Sequence, residues 1–281
     1  MTFLFIRFFW LLFYSGVFSC GVQAQNGLSR SSARLLGTLS VVRSDSGSRY
    51  GVLPVWFPTL VDRGSLQVAV VNRHGLGALT ETFLRLQRPV GSGTFKTSLG
   101  SVGDARYRQS AFQIGLNKQL TDGWCVGLDL GFSQTRVAGY GNRWSPQISV
   151  SVSGALESRT QVGMQWENPQ AWMGNKPLMS YASPRIRFGL ARNISDRLNL
   201  LGWMDWEQAS VPGIFLQGHY GPVAKWSFDV GWGRSPDQIS LGLERMWLKG
   251  VVRTSFSQDP VLGASFLFGY RYLWLVKKSS R

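Results

Sequence analysis

Residues 261–274 read VLGASFLFGYRYLW. The even positions are Leu262, Ala264, Phe266, Phe268, Tyr270, Tyr272 and Trp274; the odd ones are Val261, Gly263, Ser265, Leu267, Gly269, Arg271 and Leu273. Successive side chains of a strand point to opposite faces. One face is therefore a bulky apolar stripe, and the other is mostly small, with Arg271 standing among glycines and a serine. That pairing suits a wall with lipid on one side and an enclosed interior on the other.

Working back from this stretch, the same period recurs. Trp226, Phe228, Val230 and Trp232 alternate with Lys225, Ser227, Asp229, Gly231 and Gly233. Trp124, Val126, Leu128, Leu130 and Phe132 alternate with Cys125, Gly127, Asp129, Gly131 and Ser133. Ile148, Val150 and Val152 oppose Ser149, Ser151 and Ser153, and Ile186, Phe188 and Leu190 oppose Arg185, Arg187 and Gly189. Leu201 and Trp203 blur the alternation of residues 198–207, and residues 212–221 are short and poorly patterned. The spacing predicts about fourteen strands, with twelve if the weak segments fail, most able to reach the ~9–11 residues that cross a bilayer with tilt. A lipid-facing Lys or Arg at mid-bilayer costs roughly 2–4 kcal/mol. The apolar faces named here carry no charge, whereas the opposite faces carry Asp129, Glu167, Arg185, Arg187, Asp205, Glu207, Lys225, Asp229 and Arg271. Those nine are the candidate lumen-lining residues. They form either a neutralising structural network or the lining of a solute path that also holds the N-terminal segment.

Composition agrees. Of 281 residues, 44% are hydrophobic and only 16% charged, with 33 Gly and 12 Trp; ordinary soluble domains are roughly 25% charged. After residue 25 no run of 18 apolar residues offers a spanning helix. Strands that span lipid must close into a barrel, because every backbone group needs a partner there. The expected fold is thus all-β, a transmembrane antiparallel barrel over residues 61–275. Residues 1–24 read as an export signal: Arg7, an apolar run, then Val22-Gln23-Ala24. A membrane-anchoring helix and lipid attachment at Cys20 are the competing readings. Residues 25–60 are irregular and fit either the barrel mouth or lumen, or a periplasmic tail; residues 276–281 form a basic tail. With termini on the periplasmic side, short turns fall at 120–123, 157–159 and 193–197, and long links at 137–146 and 168–184 fall outside, as outer-membrane barrels arrange them.

Asp259-Pro260-Val261-Leu262-Gly263 followed by Phe268-Gly269-Tyr270-Arg271-Tyr272 resembles the closing strand of PorV/PorQ-like outer-membrane proteins, within the wider FadL-like group. Asn72-Arg73-His74-Gly75-Leu76, Trp166-Glu167-Asn168-Pro169 and Ala33-Arg34-Leu35-Leu36-Gly37 are similar to the same proteins. The resemblance implies a fourteen-stranded barrel with its N-terminal segment turned toward the lumen. It also implies either association with a type IX-like secretion apparatus or passage of hydrophobic solutes. Where an Asn-Pro-Ala signature is expected, this chain has Pro54 and Pro58.

Catalytic and metal chemistry is not signalled. His74 and His219 lie far apart, Cys125 sits on a small-residue face, and Gly139-Tyr140-Gly141 is a loop tip with no helix behind it. No enzyme activity, cofactor or metal is expected. The net charge of +15 points to anionic lipid and lipopolysaccharide, together with other outer-membrane or secretion components, and not to nucleic acid, for which no motif is present. The competing class is a soluble secreted β-protein for binding or adhesion.

Overall fold

The computed structural model describes residues 41–42, 53–54, 58, 60–61, 63–121, 123–169, 184–207, 210–223, 225–234, 237–247, 250–261 and 263–275. All belong to one compact unit, Leu36–Arg281. The expected signal (1–24) and basic tail (276–281) lie outside them, as does most of segment 25–60. Two short strands, β1 (Val41–Val42) and β2 (Leu53–Pro54), pair antiparallel. Fourteen more close into a barrel: β3 (Arg63–Asn72), β4 (Thr80–Val90), β5 (Gly93–Gly103), β6 (Tyr107–Thr121), β7 (Trp124–Val137), β8 (Gly141–Glu157), β9 (Thr160–Glu167), β10 (Arg185–Asn193), β11 (Leu198–Glu207), β12 (Gly213–Val223), β13 (Trp226–Arg234), β14 (Gln238–Trp247), β15 (Gly250–Asp259) and β16 (Gly263–Leu275). Each strand pairs antiparallel with its neighbour in sequence, and β16 pairs with β3 from Phe266↔Asn72 to Leu275↔Arg63. Closure leaves the barrel no open sheet edge, which is the condition for strands in lipid.

The alternation that defines β16 is borne out by burial. Phe266 and Phe268 are 55% and 56% exposed, whereas Ser265 and Leu267 are 3% and 6%. Phe, Leu and Val point outward right round the wall, with Ile114, Leu116, Leu128, Leu130, Val230 and Leu241 among the exposed apolar residues. An exposed apolar surface of that extent is unsuited to water. It is what a bilayer-embedded barrel presents.

The two ends of the barrel differ. At the terminal end of the barrel, where β3 begins and β16 stops, strands are joined by residues 91–92, 122–123, 158–159, 194–197, 224–225 and 248–249. At the other end the joins are 73–79, 104–106, 138–140, 168–184, 208–212, 235–237 and 260–262. The expected long link at 137–146 is replaced by a hairpin. β7 and β8 run on to Val137 and Gly141, and the turn between them is made by Gly139 (φ +81°) and the exposed Tyr140. This hairpin tip is polar on both faces, so it carries no period-two signal. Residues 212–221, expected to be poorly patterned, belong to a full strand, β12.

Aromatic residues mark the terminal end. Trp124 lies on Gly154 and Trp274 on Gly64: a Cβ at either glycine would come within 2.4 Å and 2.2 Å of the indole. Glycine is required there by close approach, and the ring covers the bare backbone. Trp144, Trp166, Trp206 and Trp232 sit near the opposite ends of their strands. Two aromatic girdles around an apolar band are the expected form of a spanning barrel.

Candidate functional site

The interior wall is built by the odd- or even-numbered residues of each strand, whichever face inward. Where it is charged, the charges are paired. On β5–β7, Lys96 and Asp129 stand on either side of Gly115 in the same row. Lys96 Nζ lies 2.8 Å from Asp129 Oδ1 and 2.9 Å from Oδ2. A Cβ at Gly115 would fall 1.8 Å from Asp129 Oδ1 and 2.6 Å from Lys96 Cε. The ion pair therefore spans three strands only because the middle one carries glycine.

On β9–β11 a second network sits where β9 ends and β10 begins. Arg185 donates from Nε and Nη2 to the two oxygens of Asp205, 2.5 Å each. Arg187 Nη1 donates to Gln165 Oε1 and Glu167 Oε1, 2.8 Å each. Cross-strand register creates this cluster, since Arg185 faces both Glu207 and Glu167, and Arg187 faces both Asp205 and Gln165. On β12–β15, Asp229 accepts from Arg253 Nη2 (2.9 Å) and Gln217 Nε2 (3.3 Å), and His219 Nδ1 lies 2.8 Å away. Arg271 is 3.9 Å from Glu244, beside a cavity of about 20 Å³, room for a single water. Near the upper end of β3–β4, Arg73 pairs with Glu81, both buried. A buried ion pair adds little net stability, but removing one partner costs about 3–5 kcal/mol, because the other charge is then stranded.

Between the Arg185–Asp205 network and His219 the interior turns apolar. Ala191, Leu201, Trp203 and Phe215 form one buried cluster, with the Trp203 and Phe215 rings stacked at 5.1 Å. Register places them together, since Leu201 faces Ala191 and Trp203 faces Phe215. Across β5–β8 the wall is instead small and polar. Thr94, Asn117, Ser151 and Ser153 are at most 2% exposed there. Pro58 is seated on this surface. Its carbonyl accepts Ser153 Oγ–H at 2.8 Å, and the backbone N–H of Val61 donates to Thr94 Oγ1 at 3.0 Å.

Of the nine residues proposed from sequence, Asp129, Glu167, Arg185, Arg187, Asp205, Asp229 and Arg271 have the interior contacts just given. Glu207 ends β11 in register with Arg185, half-buried. Lys225 has no interior contact of this kind among the described residues. It is exposed in the turn before β13, because the strand begins one residue later than the alternation suggested. Several partners were missed. Lys96 lies on β5, whose outward face includes Thr97 and Ser101 and so alternates weakly. Arg253 lies on the mixed strand β15. His219 is buried on β12 against Asp229. Gln217 and Phe215 alternate with Ile214 and Leu216 on that strand, so bulky residues occupy both faces and hide the period. Among the described residues no group of His, Cys, Asp and Glu is placed to hold a metal, and Cys125 is a free thiol.

No family model matches the chain, and no curated protein matches it. Solved structures do. A Pseudomonas aeruginosa FadL homologue superposes with a TM-score of 0.55 at 11% identity, over 76% of this chain and 91% of that one. The fold is FadL-like. The Pseudomonas putida toluene transporter TodX aligns over 84% of this chain and 97% of its own, with a TM-score of 0.60 at 8% identity. At such identities the likeness is one of fold. It agrees with the wider FadL-like group expected from the terminal hairpin, but not specifically with its PorV/PorQ branch.

Proposed function

We propose that this chain is an integral outer-membrane barrel that passes small hydrophobic solutes. The reading rests on one observation: the inward cluster of Ala191, Leu201, Trp203 and Phe215. A purely structural lumen would be expected to continue the paired polar pattern, whereas here a packed apolar cluster interrupts it between two charged networks. Apolar lining with a few fixed polar groups is how small-molecule sites are commonly built. The toluene-transporter likeness supports the same reading through fold alone. No catalytic role is proposed.

Flux of an apolar solute such as toluene into proteoliposomes tests it. Wild-type protein is expected to exceed protein-free vesicles, and Trp203→Asn is expected to lower the rate while the barrel stays heat-modifiable on gels. Absence of flux with correctly inserted protein overturns the reading. Silence together with co-purification of other outer-membrane components would instead favour a secretion-associated role of the PorV kind.

A further inference from the structure

On the outer wall of β4–β8, three horizontal rows of side chains follow one another toward the end opposite the start of β3 and the close of β16. The first row is apolar: Leu84, Leu99, Phe112 and Phe132 are consecutive cross-strand partners. The next is small and polar: Thr82, Ser101, Ser110 and Gln134, in register with Trp144. The third is basic: Arg108 and Arg136 face each other directly, with Gly103 and Asn142 on either side. Because the middle row is small and its neighbours are large, the wall is hollowed. A groove of about 630 Å³ runs along it, bounded by Leu84, Leu99, Phe112, Phe132 and Trp144 and floored at Ser101 and Ser110. The Phe112, Phe132 and Trp144 rings form a continuous ladder up one side, at 5.4 Å and 5.2 Å between centroids.

The arginine pair is the unusual element. Like charges directly opposite on neighbouring strands repel and destabilise the sheet. Both side chains are exposed, and no carboxylate pairs with either among the described residues. The nearby turn carboxylate, Asp104, is engaged by the N–H groups of Arg106 and Tyr107. Two guanidinium groups held side by side match the geometry of a phosphate, which can accept from both. Arg108 is four residues beyond Phe112 on one strand, about 13 Å at the usual rise. That separation is suited to a molecule with chains in the groove and an anionic head above it.

We propose that this face binds one phosphorylated glycolipid of the outer leaflet, with an acyl chain in the groove and a phosphate between Arg108 and Arg136. Position selects the occupant. The groove opens onto the lipid-facing surface, at the level where apolar side chains give way to charge. A water-soluble anion would leave the apolar groove unfilled, and an uncharged lipid would leave the arginines unpaired. The inference is independent of what passes through the lumen.

Native mass spectrometry of the full-length protein in detergent, titrated with diphosphoryl lipid A, tests this directly. Wild type is expected to retain a one-to-one adduct. Fully dephosphorylated lipid A and diacylglycerol, neither of which carries a phosphate, should be retained at least about tenfold less, equivalent to about 1.4 kcal/mol. Arg108→Gln/Arg136→Gln should lose phosphate discrimination, and Ser110→Trp, which fills the groove, should lose the adduct for every lipid. Heat-modifiability on gels confirms that each variant remains a folded barrel. Should wild type hold all three lipids equally, or the double arginine variant hold lipid A as well as wild type does, the face is ordinary annular-lipid surface and the proposal fails. The comparison of three lipids on unmodified protein decides the matter even if a variant does not fold.

Discussion

Two sectors of the interior wall solve the same problem in opposite ways. Across β5–β8 the inward side chains are small and polar, and they receive a piece of the chain's own backbone at Pro58 and Val61. Across the middle of β10–β12 they are apolar (Ala191, Leu201, Trp203 and Phe215), and they pack on one another beneath the Arg185–Asp205 pair. A backbone segment brings carbonyl and N–H groups that must be satisfied when buried, so the wall beneath it supplies hydroxyls and room. An aromatic cluster brings no such demand and can meet a partner without hydrogen bonds. The difference teaches that "inward" is not one environment in a barrel of this width. Each sector's chemistry reports what lies against it.

Substitutions can break either half of that contrast. The largest effect is expected from Asp205→Ala, which takes from the buried Arg185 both of its short hydrogen bonds above the apolar sector and should cost about 3–5 kcal/mol. Denaturant unfolding in detergent, followed by the loss of heat-modifiability, measures it. Gly127→Val acts on the polar sector. A Cβ there would lie 2.5 Å from Ser151 Oγ, 2.6 Å from Asn117 Oδ1 and 3.1 Å from Pro58 Cβ. Overpacking of about 1–3 kcal/mol is expected, with Pro58 displaced, which a spin label at residue 61 would register as increased mobility. Ser153→Ala removes only the hydrogen bond to the Pro58 carbonyl, worth about 0.5–1.5 kcal/mol; the same label should move less than in the glycine variant. If both labels behave identically to wild type, the two sectors do not differ in the way described.

The smallest effect lies outside both sectors and serves as a control. In the β5–β6 turn the Asp104 carboxyl is held below its ordinary range, first by the N–H of Tyr107 and then by that of Arg106. A depressed folded value means the turn's extra stability is present above the unfolded value of ~3.9 and is lost as pH falls through the lower, folded one. Amide exchange at Tyr107 should quicken on acidification in wild type. Asp104→Asn should show little pH response there, and neither interior sector should change with it.

How much of this could be read from residues alone depends on what each face meets. Where lipid lies on one side and a small-residue interior on the other, as along β7, β13 and β16, the period of two is clear and each side chain's direction follows from it. The expected closed barrel was legible for that reason. The signal fades where both faces meet similar surroundings. At the top of β7–β8, Gln134 and Arg136 alternate with Ser133 and Thr135, polar against polar, so a hairpin looked like a loop. Along β11 and β12, Leu201, Trp203 and Phe215 face inward opposite an apolar exterior, and the alternation vanishes although the strands are regular. The carboxylates Asp129 and Asp229 were legible from the sequence, but their basic partners were not. Lys96 meets Asp129, and Arg253 meets Asp229, from strands two apart, which requires the register and not only the period. The residue that lets the first pair meet, Gly115, carries no charge to draw attention.

The seam between β16 and β3 bears on how the molecule comes into being. These strands are the last and the first of the barrel, and ten residue pairs join them, from Phe266↔Asn72 to Leu275↔Arg63. His74 is tied to Ser265 across the same junction by its backbone N–H, at 3.1 Å and 191 positions apart in the chain. Until β16 has been made, thirteen strands form a sheet with two raw margins, each presenting unpaired amide and carbonyl groups to hydrocarbon or to another chain. A premature stop anywhere before Gly263 would therefore not yield a slightly smaller pore. It would yield a ribbon unable to remain in lipid and prone to join its neighbours edge to edge. The aromatic terminal strand is thus the clasp of the ring, and until it is fastened the preceding strands do not enclose an interior.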